Sequence, residues 1–222
     1  MSALRRNGSP LPGNPRRSRL VAPKFNNAIV PRDFYSRSPE VVARDLLGKL
    51  LIRRLNGERL SGRIVEVEAY LGLSDPASHA AIGLTPNNAV LFGPPGLAHV
   101  YFIYGMHYCL SISCLPEGEA GGVLLRALDP LEGLTTMARL RGVPDNAKPR
   151  ILTGGPARLC QAIGITRATG NGLDVTQARS TLQIADDGSH PDEIEITPRI
   201  GIRKAADRPL RFLVTGPEKL KK

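Results

Sequence analysis

Residues 49–70 read KLLIRRLNGERLSGRIVEVEAY, and their reading decides how this chain folds. Two runs rich in apolar and β-branched residues, 49–55 and 59–70, flank Asn56-Gly57, a pair that tolerates positive φ and suits a tight hairpin turn. The stretch therefore predicts an antiparallel strand pair. Just upstream, Ser38-Pro39-Glu40 supplies a hydroxyl cap, a proline at the first helical position and an acid in the first turn, so a helix runs from there to Gly48. Val42, Leu46 and Leu47 share one face of it.

Working downstream, residues 100–103 and 108–113 predict a second hairpin with Gly105 near its tip, preceded by a turn at Gly93-Pro94-Pro95-Gly96. Residues 123–128 read as a strand, and Asp129-Pro130-Leu131-Glu132 as the start of a helix by capping and dipole logic. A further helix is expected over 156–163, ending at Gly164. The last third predicts short strands around 173–175, 181–184, 194–200 and 210–214. Hairpins with a few helices between them, and no glycine-rich phosphate loop, predict an α+β fold. The expected form is a single domain over 28–222, with a curved antiparallel β-sheet, a protruding β-hairpin and several peripheral helices. Residues 1–27, rich in Pro, Gly, Ser and Arg, are expected to form a disordered basic tail.

The chain has 222 residues, 41% of them hydrophobic, and a formal charge of +10. Arg5, Arg6, Arg16, Arg17, Arg19 and Lys24 have no acid among them, which leaves +4 for the remainder. A positive excess favours polyanionic partners by counterion release, although it also simply keeps a surface soluble. No apolar run reaches membrane-spanning length, and the first 24 residues lack the apolar core of a secretory signal. Cys109, Cys114 and Cys160 are odd in number and form no C-x-x-C pair, so neither a disulfide framework nor a structural zinc site is expected. Free thiols suit a reducing compartment: cytoplasm or nucleoid, or nucleus or organelle in a eukaryote.

Strand alternation puts Glu66, Glu68 and Tyr70 on one face of residues 59–70 and Val65, Val67 and Ala69 on the other. The plain reading is a solvated face over an apolar core; the chemical one is a carboxylate acting as general base on water. Residues 99–108 hold three of the five tyrosines. Tyr101 and Tyr104 are expected to face opposite ways, one into a pocket and one at the hairpin tip. A protruding aromatic either folds back as a small apolar cluster, or wedges into a stacked duplex. His79 reads as a structural hydrogen-bonder or a site residue. Arg126, inside the apolar run 123–128, needs an acidic or phosphate partner, with Glu66, Glu68, Asp129 and Glu132 all candidates.

Five ordered blocks, Gly62 to Gly72, His79, Tyr101 to Met106, Leu124 to Leu128 and Gly155 to Ala162, resemble the alkyladenine (3-methyladenine) DNA glycosylase family of base-excision repair. The resemblance covers about residues 34–214. It implies that Glu68 is the base that deprotonates water for attack on the sugar C1′, and that Arg126 helps hold that water. It implies a base pocket of Tyr70, His79 and Tyr101, with Tyr104 filling the gap left in the duplex and Met106 and Leu124 beside that intercalating surface. Glu66 carries no implied role. A cationic alkylated purine leaves without a dedicated general acid, and with no lysine in the matched blocks a monofunctional enzyme leaving an abasic site is expected. No cofactor or metal is implied. The expected partner is double-stranded DNA containing damaged purines, bound by a monomer away from membranes.

Three positions depart from the family pattern. Ser111 stands where vertebrate-type members carry an asparagine that disfavours guanine. His99 and His107 replace aromatics, and Asn87 stands where a basic residue is common. Two rival readings remain at this level: a non-catalytic nucleic-acid-binding module on the same basic scaffold, and a nucleoside or small glycoside hydrolase using Glu66 and Glu68 as a pair.

Overall fold

A computed structural model describes residues 28–215. The tail expected over residues 1–27 lies outside the described residues. The chain runs β1 (Ala28–Ile29), α1 (Arg32–Tyr35), α2 (Pro39–Leu46), β2 (Leu50–Leu55) and β3 (Glu58–Tyr70). Three 3-10 turns, Gly72–Ser74, His79–Ile82 and Ala89–Phe92, lead to β4 (Ala98–Ile103) and β5 (His107–Cys114). Then come β6 (Gly121–Glu132), α3 (Leu134–Arg141), α4 (Pro149–Thr153), α5 (Pro156–Ala162), α6 (Arg167–Gly170), β7 (Leu182–Asp186), β8 (Glu193–Thr197) and β9 (Arg211–Thr215). The fold is α+β, a strongly curled antiparallel sheet with helices around it.

Both expected hairpins form. Asn56 and Gly57 take φ of 51° and 82° between β2 and β3, the backbone that Asn-Gly accommodates at least cost. The Ser38 side chain caps α2 by accepting the Val41 N–H, and Gly48 follows the helix at φ 88°. The sheet runs β1-β7-β2-β3-β6-β5-β4, with the β8–β9 hairpin branching from β3. Strand β3 organises this arrangement. From Ser61 to Tyr70 it pairs with β6 on one side, while β2 occupies its other edge up to Arg63 and β9 takes over at Glu66 to Glu68.

Register shifts around Val65 interrupt the β3–β6 ladder. Leu60 and Ile64 point into the core ahead of this bulge, and Val67 and Ala69 do so after it. An extra residue reverses the alternation, which period-two reading of the sequence cannot see. Helices α2, α4 and α5 pack on β3, β6 and β5, and their apolar faces join the sheet in one principal core. Cys109, Cys114 and Cys160 are free and buried.

Two sequence expectations are corrected. Residues 129–132 do not begin a helix: they continue β6, and α3 starts after Gly133, whose φ of 76° breaks the strand. Among the described residues β6 beyond Leu124 pairs with no named strand but β3, so Pro130, which cannot donate a ladder bond, sits where no second strand needs one, beside another register shift. The strand expected over 173–175 is a loop with a single bridge, Leu97 to Asp174. Among the described residues no helix is long and apolar enough to cross a membrane.

Candidate active site

At the end of β3 the chain must reverse sharply, and Gly72 allows it: φ is 80°, and a Cβ there would lie 1.6 Å from the Ala120 carbonyl oxygen. The turn delivers Asp75 to a fully buried position where it meets Arg199, from the loop after β8. Arg199 Nη2 donates to Asp75 Oδ1 at 2.9 Å, Nη1 donates to Asp75 Oδ2 and to the Ala69 carbonyl at 3.0 Å, and the guanidinium lies 4.6 Å from the Tyr70 ring centre. Burial alone would raise the Asp75 carboxyl, but Arg199 and the Leu71 and Ala77 N–H groups hold it below its ordinary value. This ion pair fastens the loop after β8 against β3.

The next residue in that loop reaches Glu68. Ile200 N–H donates to Glu68 Oε1 at 2.8 Å, Arg126 Nη1 lies 3.0 Å from the same oxygen, and the Tyr70 hydroxyl donates to Oε2 at 2.9 Å. Glu68 has 0% exposure, a burial that a carboxylate sustains only with such partners. Burial, the charge on Glu68 and the bond donated to it push the Tyr70 phenol well above its usual value, so Tyr70 stays a donor. Arg126 is shared: its Nε donates to Glu66 Oε1 at 2.8 Å, and Arg211 Nε donates to that oxygen at 2.7 Å. Burial works to raise the Glu66 carboxyl, and the two arginines outweigh it.

In front of Glu68 opens a cavity of about 300 Å³. Tyr70, His79, Tyr101, Ser111, Leu124 and Arg126 line it, and Tyr104 and Ile200 to Ile202 close its rim. Glu68 is not itself a wall; it sits directly behind Tyr70, Arg126 and Ile200. Glu66 instead lines a second cavity of about 410 Å³, shared with Arg126, Arg150 and Arg211. The two acids therefore lie on one face of β3 without facing a common cavity.

The aromatic wall is built from β4 and the second 3-10 turn. His79 meets Tyr101 edge-on, with ring centres 4.3 Å apart, and His99 stacks on Tyr101 at 5.1 Å. Tyr101 and Tyr104, expected to point opposite ways, line the same cavity, because the β4–β5 turn places Tyr104 at φ 52° and ends the strand alternation. Tyr104 is 77% exposed, and Met106, 69% exposed, stands on the tip outside the cavity. Leu124 is buried in the wall, opposite both Glu68 and Ser111 in the ladder. Asn87 accepts a hydrogen bond from Arg167 at 3.0 Å, so the loop carries a cation on a neighbouring residue. Among the described residues no three of His, Cys, Asp and Glu gather as metal ligands.

Sequence reasoning named Glu66 among the candidate partners of Arg126, which the structure bears out, and noted His99 only as a departure from the family pattern; it missed Asp75, Arg199, Ile200 and Arg211, none of which carried a local signal. These four act through contacts more than 120 residues apart or across strands.

The comparisons with known proteins define a hydrolase that acts on N-glycosyl bonds. Residues 33–218 match the family model described as methylpurine-DNA glycosylase. A Koribacter versatilis protein is 53% identical over 189 residues, covering 85% of this chain and 91% of its own. Others from Burkholderia cenocepacia (48% over 202 residues; 90% and 94% covered) and Methanocella arvoryzae (46% over 187; 83% and 91%) are similar along nearly their whole length. Each of the three bears the name "Putative 3-methyladenine DNA glycosylase". The chain belongs to the methylpurine-DNA glycosylase family, enzymes of DNA repair whose substrate is DNA.

Proposed function

We propose that the protein is a monofunctional DNA glycosylase that turns alkylated or deaminated purines out of duplex DNA and hydrolyses the N-glycosidic bond with a water activated by Glu68. The observation that carries this reading is the Glu68 carboxylate, fully buried yet held by hydrogen bonds from the Tyr70 hydroxyl and the Ile200 N–H and by the charge of Arg126, at the back of an aromatic cavity. A carboxylate offers about four acceptor sites, so these partners leave acceptor capacity for a water entering between Tyr70, Arg126 and Ile200. That water's oxygen attacks C1′, its proton passes to Glu68, and the bonding pair leaves with the purine. The negative charge of Glu68 also faces the oxocarbenium character that develops at the sugar.

Extruding a nucleotide costs a few kcal/mol, and stacking on the walls of Tyr70, His79 and Tyr101 returns about 1–3 kcal/mol. Ser111 completes the pocket, where it replaces a bulkier amide. Tyr104 fills the vacated slot and opposes the base's return, with Met106 beside it on the hairpin and Leu124 behind it in the wall. Among the described residues no lysine lines the cavity to form a Schiff base, which supports an abasic site with the strand intact as the product. The protein works as a monomer where DNA and reduced thiols coexist, in cytoplasm or nucleoid.

Single-turnover base release from duplexes carrying 3-methyladenine, 7-methylguanine, hypoxanthine or ethenoadenine tests the reading. Glu68→Gln should lose release by at least about a hundredfold while duplex binding persists. Undiminished release by the variant would overturn it, and equal release from a free alkylated nucleoside would favour a nucleoside hydrolase.

A further inference from the structure

The second cavity, beside Glu66, has no part in the chemistry proposed above. It adjoins the first, because Arg126 and Ile200 line both. One wall is the turn between α4 and α5, fastened to β6: Gly155 N–H donates to the Arg126 carbonyl at 2.9 Å, Thr153 Oγ1 donates to the Leu128 carbonyl at 2.6 Å, and Gly154 bridges to Ala127. Glycine is needed at 154, since a Cβ there would lie 2.5 Å from the Arg150 carbonyl oxygen. The turn thereby brings Arg150 to the same cavity as Arg126 of β6 and Arg211 of β9.

Three guanidiniums face two carboxylates there, Glu66 and Asp129, which leaves one positive charge. Not all the donors are spent. Arg126 uses Nε on Glu66 and Nη1 on Glu68; Arg211 uses Nε on Glu66 and Nη1 on Thr197 Oγ1 at 3.0 Å. The Nη2 group of each has no hydrogen-bond partner among the described residues. Arg150 is exposed, and its side chain pairs with no described residue. Guanidinium N–H groups match the oxygens of a phosphate, and a phosphodiester carries the one negative charge that this space lacks. Glu66 and Glu68 stand two residues apart on β3, about 6.6 Å at the usual strand rise, roughly the reach of one nucleotide of backbone.

We propose that the second cavity seats a backbone phosphate next to the extruded nucleotide, held by Arg150 and Arg211 together with Arg126. This deepens the glycosylase reading above and rests on it. With the base in one cavity and a phosphate in the other, the sugar between them lies over Arg126 and Ile200, the two residues that separate the cavities and contact Glu68. Fixing the strand at both ends holds C1′ against the attacking water. Glu66 orients two of the three guanidiniums and repels the anion they seat, two effects that oppose each other.

The test is a charge-deletion cycle, read as binding of the full chain to duplexes that carry a tetrahydrofuran abasic site and allow no turnover. A methylphosphonate replaces, one at a time, each of the two linkages on either side of that site and removes the charge of a single phosphate. Arg150→Ala should weaken binding to the all-phosphate duplex about five- to tenfold and reduce the salt slope by about one. At one linkage alone, neutralisation should weaken wild type by a similar factor and Arg150→Ala by less than about twofold. Arg150→Lys, which keeps the charge, should retain the salt slope. Arg54→Ala, an exposed arginine on β2, should couple to no linkage. Additive losses for Arg150→Ala at all four linkages, or the same coupling with Arg54→Ala, overturn the proposal. If Glu68→Gln loses base release and no linkage couples, the phosphate seat alone has failed. If Glu68→Gln releases bases as fast as wild type, the glycosylase reading has failed and this inference falls with it.

Discussion

Replacing Asp75 by asparagine keeps the shape of a buried side chain and removes its charge. Arg199 then retains only neutral acceptors, Ala69 O at 3.0 Å and Ala205 O at 3.4 Å, in a position with 0% side-chain exposure. Leaving a buried cation without its counter-charge costs about 3–5 kcal/mol. For a domain of this size that corresponds to a fall in Tm of roughly 6–20 °C. Urea and thermal unfolding of Asp75→Asn, Arg199→Met and the double variant measure it, and the double variant should be little worse than either single one, because removing both charges abolishes the unpaired state. Base release should fall as well at temperatures where Asp75→Asn remains folded, since Ile200 N–H loses its fixed approach to Glu68. A cost below about 1 kcal/mol, or strictly additive single effects, would refute the view that this ion pair clamps the loop onto the site.

Two further outcomes are expected. Glu66→Gln replaces a charged anchor of Arg126 and Arg211 by a neutral amide, and single-turnover release should drop roughly tenfold with duplex affinity unchanged; a wild-type rate would show that Arg126 needs no such anchor. The folded His99 imidazole titrates near 4, against ~6.5 in an unfolded chain. Between those values the unfolded chain binds a proton that the native one refuses, so stability is full above ~6.5 and declines on acidification by about 3 kcal/mol in all. Urea unfolding of wild type and His99→Phe at pH 7.5 and 4.5 checks this, and a difference between them that ignores pH would contradict it.

Much of the architecture could be read from local chemistry. Asn56-Gly57 and the Ser38-Pro39-Glu40 cap act over a few residues, and the structure keeps both. The strand through Asp129-Pro130 was misread because capping residues also suit an edge strand, and only the absence of β5 beyond Leu124 tells the two apart. Within the site, Glu68 and Tyr70 were visible through alternation, since the bulge falls before them at Val65. Arg126 announced a need for an acid without naming it; the structure gives it two, because β3 carries both on one face. Asp75 and Arg199 meet only through the β8–β9 hairpin docking on β3, and no local pattern encodes a pairing across 124 residues.

The three buried cysteines bear on the hazards of the work itself. Burial pushes the Cys109 thiol, which lines the cavity, up to about 11, and raises Cys114 and Cys160 as well. Sulfur attacks electrophiles as thiolate, and at neutral pH only about one Cys109 in ten thousand is in that form. Reagents that methylate ring nitrogens in DNA therefore meet few thiolates among these three buried residues.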